Sequence, residues 1–388
     1  MLSYESSHPW ITFSINLSKA PAKLWVILGE SKAICGQISG APLHPSFQEE
    51  LHRKYYAEST LNTTAMDGNT LSEEEVRDIL FGNKTVPPSK KYLAQENENI
   101  LRGYNLILEH IIKYENSELN EATINEFNQI VLDRLVLDSG ITPGQLRTKN
   151  IEIPSHRFKV APAEDCPYLL EQLCTWLNSK TFDAPAGMSI EYGILKAIIA
   201  NLYLTWIHPY AKGNARTTSL VEFMLLVDAG LPPIAAHHLS RLYFNTKYDY
   251  FRHIENASSP GGKIVPFIMY SLQGFIDGLH DQLEIIKEHQ LSTMWINYVN
   301  EIFGDKNSIA DIRRKYLVLD LSDSPDPVPI SKLSELSTRL VKFYSTKTAK
   351  TLSRDIAELV GKGLLKKTPE GISVQKDSVR AFLPRNTE

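Results

Sequence analysis

The sequence predicts a mainly α-helical protein that ends in a small module of helix and hairpin. Apolar residues recur at a spacing near 3.6 in most segments, which is the period of a helix with one buried face. The alternating pattern of a strand occurs in few places. A stretch rich in Pro, Ser and Asp at 322–329 interrupts the helical pattern, because proline cannot continue a helix. These three observations separate a large helical body from a C-terminal module.

The helical segments are marked by their apolar period and by capping residues. Ser72 precedes Glu75 by three positions, and Asn120 and Glu121 follow Ser117 just before the next apolar run, as at helix starts. The segments with a helical period are 96–114, 169–177, 190–207, 217–229, 264–287 and, after the break, 346–360.

Two short hairpins are predicted. The first spans 150–160, where alternating residues flank a turn at 154–157. The second follows the helix at 346–360 and the glycine stop at 361–363, with its turn at 369–371. A helix, a glycine stop and a hairpin form the outline of a winged helix-turn-helix.

Length and composition limit the classes of protein that fit. A chain of 388 residues is too long for one ordinary core, and we expect domains at 1–110, 111–288 and 289–388. The formal charge of −4 excludes a basic surface over the whole chain of the kind that binds nucleic acid. Three cysteines without metal-ligand spacing indicate reduced thiols. With no signal-peptide pattern and no uncharged apolar run of about 18 residues, we expect a cytoplasmic protein without a membrane span.

The segment 207–219, IHPYAKGNARTTS, carries the chemistry. An apolar helix ends before Pro209 and a new helix begins near Asn214, where free N–H groups and the helix dipole attract anions. Arg216 in the first turn would grip a phosphate with two N–H groups. His208 titrates near neutral pH and would accept a proton from a hydroxyl. The residues indicate a phosphate cradle beside a base; a capped helix turn with a surface His and Arg is the alternative.

The same segment resembles the Fic family motif HxFx[DE]GNGRxxR. His208, Gly213, Asn214 and Arg216 match it, and Tyr210 stands where the family has an inward-packing Phe. Further stretches that resemble parts of the family are 10–51, like the region ahead of many Fic cores; 63–71 (TTAMDGNTL), like the inhibitory motif [ST]xxxE[GN]; 143–148 (PGQLRT), like the segment before the Fic flap; and the C-terminal module, like the winged helix of bacterial members.

The resemblance implies a Fic-type helical bundle with a β-hairpin flap at 150–160. Fic enzymes mostly transfer AMP from ATP to a Ser, Thr or Tyr hydroxyl of a target protein. By this resemblance His208 is the general base, Arg216 holds the β-phosphate, and the target docks on the flap as an added strand. The resemblance also assigns the anion hole for the diphosphate to Gly213, Asn214 and the backbone of Ala215.

Three positions depart from the motif. Lys212 stands where an acidic residue holds magnesium, and an ammonium group cannot ligate a metal, so it would act as a fixed positive charge on the phosphates. Ala215 replaces the second glycine of GNG, which crowds the backbone near the phosphate. Ser219 replaces the final arginine that reads a γ-phosphate. We therefore expect ATP or another nucleotide as substrate and doubt a need for magnesium.

The inhibitory-like segment Asp67, Gly68 and Asn69 departs in parallel. Asp67 takes the place of a glutamate whose expected partner is missing at Ser219, so we expect it to pair with Lys212 or Arg216. The alternative is a plain turn before the next helix, since Asp, Gly and Asn favour turns.

Other aromatic and imidazole residues carry weaker expectations. The resemblance makes Tyr248 and Tyr250 candidates for flanking the nucleotide base. The pair His237 and His238 lacks a third ligand at metal spacing, so no metal site is predicted.

Two functions remain open from the sequence. The first is a Fic-like transferase, autoinhibited and independent of a metal, that moves AMP or another phosphate-containing group to a protein hydroxyl. The second is a degenerate Fic domain that binds a nucleotide or a partner without turnover. In both, basic residues of the winged helix leave contact with DNA or with a protein as alternatives. Retention of His208 favours the enzyme, because a binding module does not need a base.

Overall fold

The computed structural model describes residues 2–82, 86–113, 118–152, 158–259 and 263–379. The chain forms two compact units, residues 1–283 and 284–388. The second unit thus begins near the expected domain border at 289. The expected border at 110/111 falls inside a helix, Lys91–Lys113, and no division of the first unit occurs there.

Helices build the first unit, which confirms the mainly α-helical prediction. Ser72 and Glu75 form a capping box, and Asn120 caps the helix that starts at Glu121. Helices α2 and α3 were not among the segments with a noted period. The helices are α1 Ser3–Ser7, α2 Ala22–Ser39, α3 Pro45–Met66, α4 Glu73–Phe81, α5 Lys91–Lys113, α6 Glu121–Leu132, α7 Cys166–Leu177, α8 Ser189–Ile207, α9 Asn214–Asp228, α10 His238–Asn245 and α11 Lys247–Ala257, followed by α12 Val265–Phe303, which extends into the second unit.

Helix α8 lies in the core of the first unit, because it is apolar around its whole circumference. Its glycine permits close packing against α9: a Cβ at Gly193 would lie 2.1 Å from Ala229 Cβ. By length and composition α8 is able to cross a membrane, which the sequence-based expectation did not anticipate. In the fold, 78% of its apolar window is buried inside the protein.

The second unit packs the end of α12 and three further helices against a two-stranded hairpin, around a core that includes Trp295 and Phe303 of α12. The hairpin is antiparallel, with Leu365 opposite Val374, and Val328 bridges to Ile372 beside it. The helix, glycine and hairpin order agrees with the sequence pattern, and the winged-helix assignment stays a prediction. The elements are α13 Ile309–Leu321, α14 Thr338–Tyr344, α15 Ala349–Gly361, β1 Leu365–Thr368 and β2 Gly371–Val374.

The hairpin flap expected at 150–160 falls in part on residues 153–157, which lie outside the described residues. In the described part of the chain, β1 and β2 are the strands. Docking of a target on this flap therefore stays a prediction.

Candidate functional site

The junction between α8 and α9 has two left-handed backbone positions. His208 ends α8 with φ 48°, and Gly213 precedes α9 with φ 80°. A Cβ on Gly213 would lie 3.1 Å from Leu132 Cδ2 and 3.2 Å from Val131 Cγ2. Glycine is therefore favoured here by the left-handed backbone, and a Cβ would crowd two neighbouring side chains.

The side chain of Asn214 locks the loop between the two helices. Its Oδ1 accepts the Tyr210 N–H at 3.0 Å, and its Nδ2 donates to the Tyr210 carbonyl at 2.7 Å. The buried Tyr210 ring is held in turn by a 2.7 Å hydrogen bond from its hydroxyl to Asn125. Because both ends of its amide are used inside the loop, Asn214 holds the shape of the loop.

Asn128 on α6 ties this loop to its surroundings, and sequence reasoning missed it. Its Nδ2 donates to the Lys212 carbonyl at 3.0 Å and to Thr217 Oγ1 at 3.2 Å. Its Oδ1 accepts the Gly144 N–H at 2.9 Å. One amide side chain thus connects the loop between α8 and α9 to the PGQLR segment.

Arg147, the arginine of the PGQLR segment, holds the end of α8. Its buried guanidinium donates to the carbonyls of His208 at 2.8 Å, Lys149 at 3.1 Å, Ile207 at 3.3 Å and Ala161. Burial lowers the pKa of Arg147 from its ordinary value. A cation at the negative end of a helix dipole is favourable, and here it also fixes the backbone that carries the imidazole of His208.

The junction opens into a cavity of about 530 Å³. Its wall contains Tyr250, whereas Tyr248 is 81% exposed and does not line it, so the structure does not support Tyr248 as a base-flanking residue. Glu96, Asn201 and Glu222 line the cavity without having been singled out from sequence. The other sequence-derived residues on the wall are Asp67, Gly68, Asn69, His208, Lys212, Gly213, Asn214, Ala215 and Arg216.

Arg216 lies between two carboxylates at one side of the cavity. Its Nε is 2.8 Å from Asp67 Oδ2 and its Nη1 is 3.1 Å from Glu96 Oε1. Nη1 also approaches the Val131 carbonyl at 3.4 Å, and the side chain is 1% exposed. Of the two partners expected for Asp67, Lys212 and Arg216, the structure shows the ion pair with Arg216. The guanidinium is thus already paired with two carboxylates at the cavity wall.

Asn69 fixes the segment that carries Asp67. Its Nδ2 donates to Glu96 Oε2 at 2.8 Å and to the Leu93 carbonyl at 3.0 Å, while its Oδ1 accepts the Leu71 N–H at 3.1 Å. Asn69 and Arg216 therefore hold the same Glu96 carboxylate from two sides. The segment is both a turn after α3 and a wall of the cavity.

Ser219 stands where the family motif has its last arginine, and hydroxyl groups surround it. Its Oγ is 3.0 Å from Thr63 Oγ1 and 3.3 Å from the Tyr104 hydroxyl, which also contacts Ser59 at 2.8 Å. These groups form an uncharged hydrogen-bonding network beside the cavity.

Glu222, one helical turn further along α9, is a buried acid on the cavity wall. It is 4% exposed, and its Oε1 has no hydrogen-bond partner among the described residues. Burial raises its pKa well above the ordinary value, and hydrogen bonds to Asn201 and Tyr243 offset this only in part. The Tyr250 hydroxyl donates to Asn201 Oδ1 at 2.9 Å, which extends the polar network.

The donors at the loop between α8 and α9 do not fit a magnesium ion. Magnesium prefers carboxylate and water oxygens, yet Lys212 brings an ammonium to this loop. The nearby carboxylates of Asp67 and Glu96 are paired with Arg216. Among the described residues, no group of three or more His, Cys, Asp or Glu is arranged to hold a metal.

The fold and the cavity define a helical domain whose α8–α9 loop lines a cavity, with an imidazole at the edge of that loop. Residues 118–226 match the model of the Fic/DOC family, which confirms the resemblance to this family for that stretch, and this part of the chain is a Fic/DOC domain.

Relatives and solved structures agree with this assignment. The chain is 28% identical over 225 residues to the protein adenylyltransferase Fic of Nematostella vectensis, covering 56% of this chain and 46% of that protein. It is also 28% identical over 235 residues to the protein adenylyltransferase fic-1 of Caenorhabditis briggsae, covering 58% of this chain and 41% of that protein. The chain thus spans under half the length of these relatives.

The likeness to solved structures concerns the fold. The C. elegans Fic-1 structure (residues 134–508) superposes with a TM-score of 0.53 at 23% identity, covering 69% of this chain and 74% of that one. A Fic family protein from Desulfovibrio desulfuricans G20 superposes with a TM-score of 0.53 at 17% identity. The superposition covers 93% of this chain and 94% of that chain.

Proposed function

We propose that this protein is a Fic-type transferase that moves AMP from a nucleotide to a Ser, Thr or Tyr hydroxyl of a protein target. The observation that carries the proposal is that His208, the start of α9 and Arg216 line one cavity. The relatives named protein adenylyltransferases support ATP as the nucleotide.

The residues of the cavity divide the reaction between them. The imidazole of His208 accepts the proton of the target hydroxyl, whose oxygen attacks the α-phosphate as the bond to the leaving diphosphate breaks. The N–H groups at the start of α9, with Lys212 and Arg216, stabilise the negative charge that gathers on the leaving group. Arg147 acts through His208 by holding its backbone, and is a positioning residue.

The resting state is autoinhibited in this proposal. Arg216 cannot bind a phosphate with its full fork of donors while Asp67 and Glu96 occupy it. Asp67 is the less buried of the two carboxylates, at 24% against 12% side-chain exposure, so it is the one that moves aside.

A second candidate function is a regulator that binds a nucleotide without turnover. The occupied Arg216 and the hydroxyl network at Ser219 favour it, since both weaken a grip on a triphosphate. In either case the second unit is proposed to be a winged helix that contacts DNA or a protein, and the 150–160 segment to dock the target. The three cysteines, free and buried, support the cytoplasm as location.

One incubation distinguishes the two functions. The full chain and its Asp67→Gly form are incubated with labelled ATP, GTP, UTP and CTP, with and without magnesium or manganese, in the presence of lysate proteins. We expect the mass of a protein to increase by one nucleoside monophosphate group. The amount of modified protein should be greater with Asp67→Gly, and no modified protein should form with His208→Ala. The control is His280→Ala, a half-exposed histidine outside the cavity. No transfer under any condition, with nucleotide binding intact, would establish the regulator instead.

A further inference from the structure

The two sides of the cavity differ in charge. Lys212 and Arg216 lie at the start of α9, where the helix dipole adds positive potential. Along α9 away from this start, Glu222 comes eight residues after Asn214, which is about 12 Å of helix rise. No lysine or arginine lines this further side among the described residues; its polar residues are Asn201, Thr205, Ser219, Glu222, Ser240, Tyr243 and Tyr250.

One oxygen of the Glu222 carboxyl, Oε1, lacks a hydrogen-bond partner among the described residues. An unpaired polar atom in the interior is destabilising, so buried carboxyl oxygens are normally paired. Glu222 lines the cavity, and its Oε1 is buried there without a partner among the described residues. No charged side chain of the described residues forms an ion pair with it, and burial favours its protonated form.

A protonated carboxyl acts as donor and acceptor at once, as hydroxyl groups do. Asn201 and the hydroxyls of Tyr250 and Thr205 extend the same chemistry, since they are linked at 2.9 and 3.3 Å. A terminal phosphate would bring two negative charges next to an acid without a cation to offset them, which is costly in a buried site. An uncharged group with several hydroxyls satisfies the same donors and acceptors without that cost.

We propose that the Glu222 side of the cavity binds an uncharged, hydroxyl-rich group such as a sugar, joined to phosphates held at the start of α9. The preferred ligand class is therefore a nucleoside diphosphate that carries a sugar on its second phosphate. This rests on the proposed function in one respect, the phosphate site at the start of α9. The hydroxyl environment of Ser219 is consistent with it, because a γ-phosphate would find no guanidinium there.

Calorimetry with ATP, ADP and ADP-glucose tests the proposal on the full chain. We expect ADP-glucose to bind at least tenfold more tightly than ADP or ATP. Glu222→Ala should remove this gain and leave the affinity for ADP within about twofold. Glu222→Gln, which keeps a donor and an acceptor, should retain most of the gain. Glu126→Ala, an exposed glutamate of α6, is the matched control and should change nothing.

The outcomes distinguish this proposal from the one it rests on. Equal affinity for ADP and ADP-glucose, or an equal loss for every ligand in Glu222→Ala, overturns the sugar subsite and leaves the phosphate site standing. Tighter binding of ATP than of ADP-glucose also overturns it. If neither ADP nor ADP-glucose binds, while thermal unfolding shows a folded protein, the phosphate site and the subsite both fail.

Discussion

Each unit of the molecule contains a buried cluster of arginine and carboxylate, and the two clusters are built in opposite proportions. In the first unit, one guanidinium, Arg216, is held by two carboxylates, Asp67 and Glu96. In the second, one carboxylate, Asp355, is held by two guanidinium groups, Arg313 at 2.7 Å and Arg314 at 2.8 Å.

Surroundings decide what each cluster does. Asp355 is fully buried and also accepts a hydrogen bond from Tyr344 at 3.1 Å. Burial alone would raise the pKa of Asp355, but the hydrogen bonds from Arg313 and Arg314 outweigh it and lower the pKa. The Arg216 cluster borders a cavity, and in the proposed function its carboxylates give way to an incoming phosphate. The same kind of ion pair is thus structural where it is sealed, and the proposed function makes it exchangeable where it borders a cavity.

The largest expected effect is on the sealed cluster. Asp355→Ala leaves Arg313 buried without a carboxylate, so we expect the second unit to lose about 3 kcal/mol of unfolding free energy. Urea unfolding combined with hydrogen exchange of α15 measures it. Asp377→Ala is the control, since the half-exposed Asp377 lies 3.7 Å from Lys366 and such pairs contribute about 0–1 kcal/mol. A loss below about 1 kcal/mol in Asp355→Ala would contradict the structural role.

The next effect concerns the backbone that forms the cavity edge. Gly213→Ala should cost about 2 kcal/mol, because the left-handed conformation is strained for alanine and the added Cβ meets Leu132 and Val131. Gly187→Ala is a matched control: its φ is 79° but nothing lies within 4 Å, so about 1 kcal/mol is expected. Thermal and urea unfolding compare them. Equal losses would mean that crowding at Gly213 is relieved by local shifts.

Asp67→Asn tests the exchangeable cluster. With one carboxylate removed, Arg216 should bind ADP about tenfold more tightly, equivalent to about 1.4 kcal/mol, while the stability changes little because Glu96 still pairs with it. Calorimetry of ADP binding measures the gain. Glu74→Gln, an exposed acid at the start of α4, should show none. Unchanged ADP affinity in Asp67→Asn would argue against autoinhibition.

The smallest effects are in pH dependence, where the two units should differ in sign. The pKa of Glu222 is raised above 4.5 in the folded state, so stability falls as the pH rises beyond about 4.5, and Glu222→Gln should gain stability from about pH 5 to pH 8. The pKa of Asp355 is lowered below 3.8, so its contribution is present above about pH 3.8 and lost as the pH falls through the folded value. Unfolding free energies measured over this range check both. A gain in stability from Glu222→Gln that does not change with pH would refute the expected effect of the raised Glu222 pKa.

The elements that sequence predicted best are those with strong local signals. The capping box of Ser72 and Glu75 and the loop from His208 to Arg216 carry their geometry in consecutive residues. The pairing of Asp67 with Arg216 was predicted as one of two partners, because the motif resemblance brought distant segments together.

The remaining residues depend on tertiary contacts that no local pattern encodes. Glu96 is an ordinary helical acid in sequence, and its place beside Arg216 follows from the packing of α5 against α9. Arg147 and Asn128 act on backbone carbonyls far along the chain. Tyr248 looked like Tyr250 in sequence, but the phase of α11 turns one outwards and the other inwards.

The apolar character of α8 has a consequence for how the chain is made. As the polypeptide emerges from the ribosome, α2 and α7 are available before α8, whereas α9, which covers α8 closely at Gly193, follows it. Until residue 228 has left the exit tunnel, the nineteen-residue apolar helix α8 lacks α9, the helix that packs closely against it. Truncations that stop between 207 and 228 should therefore precipitate or recruit chaperones, and expression designs for this domain should extend past the end of α9.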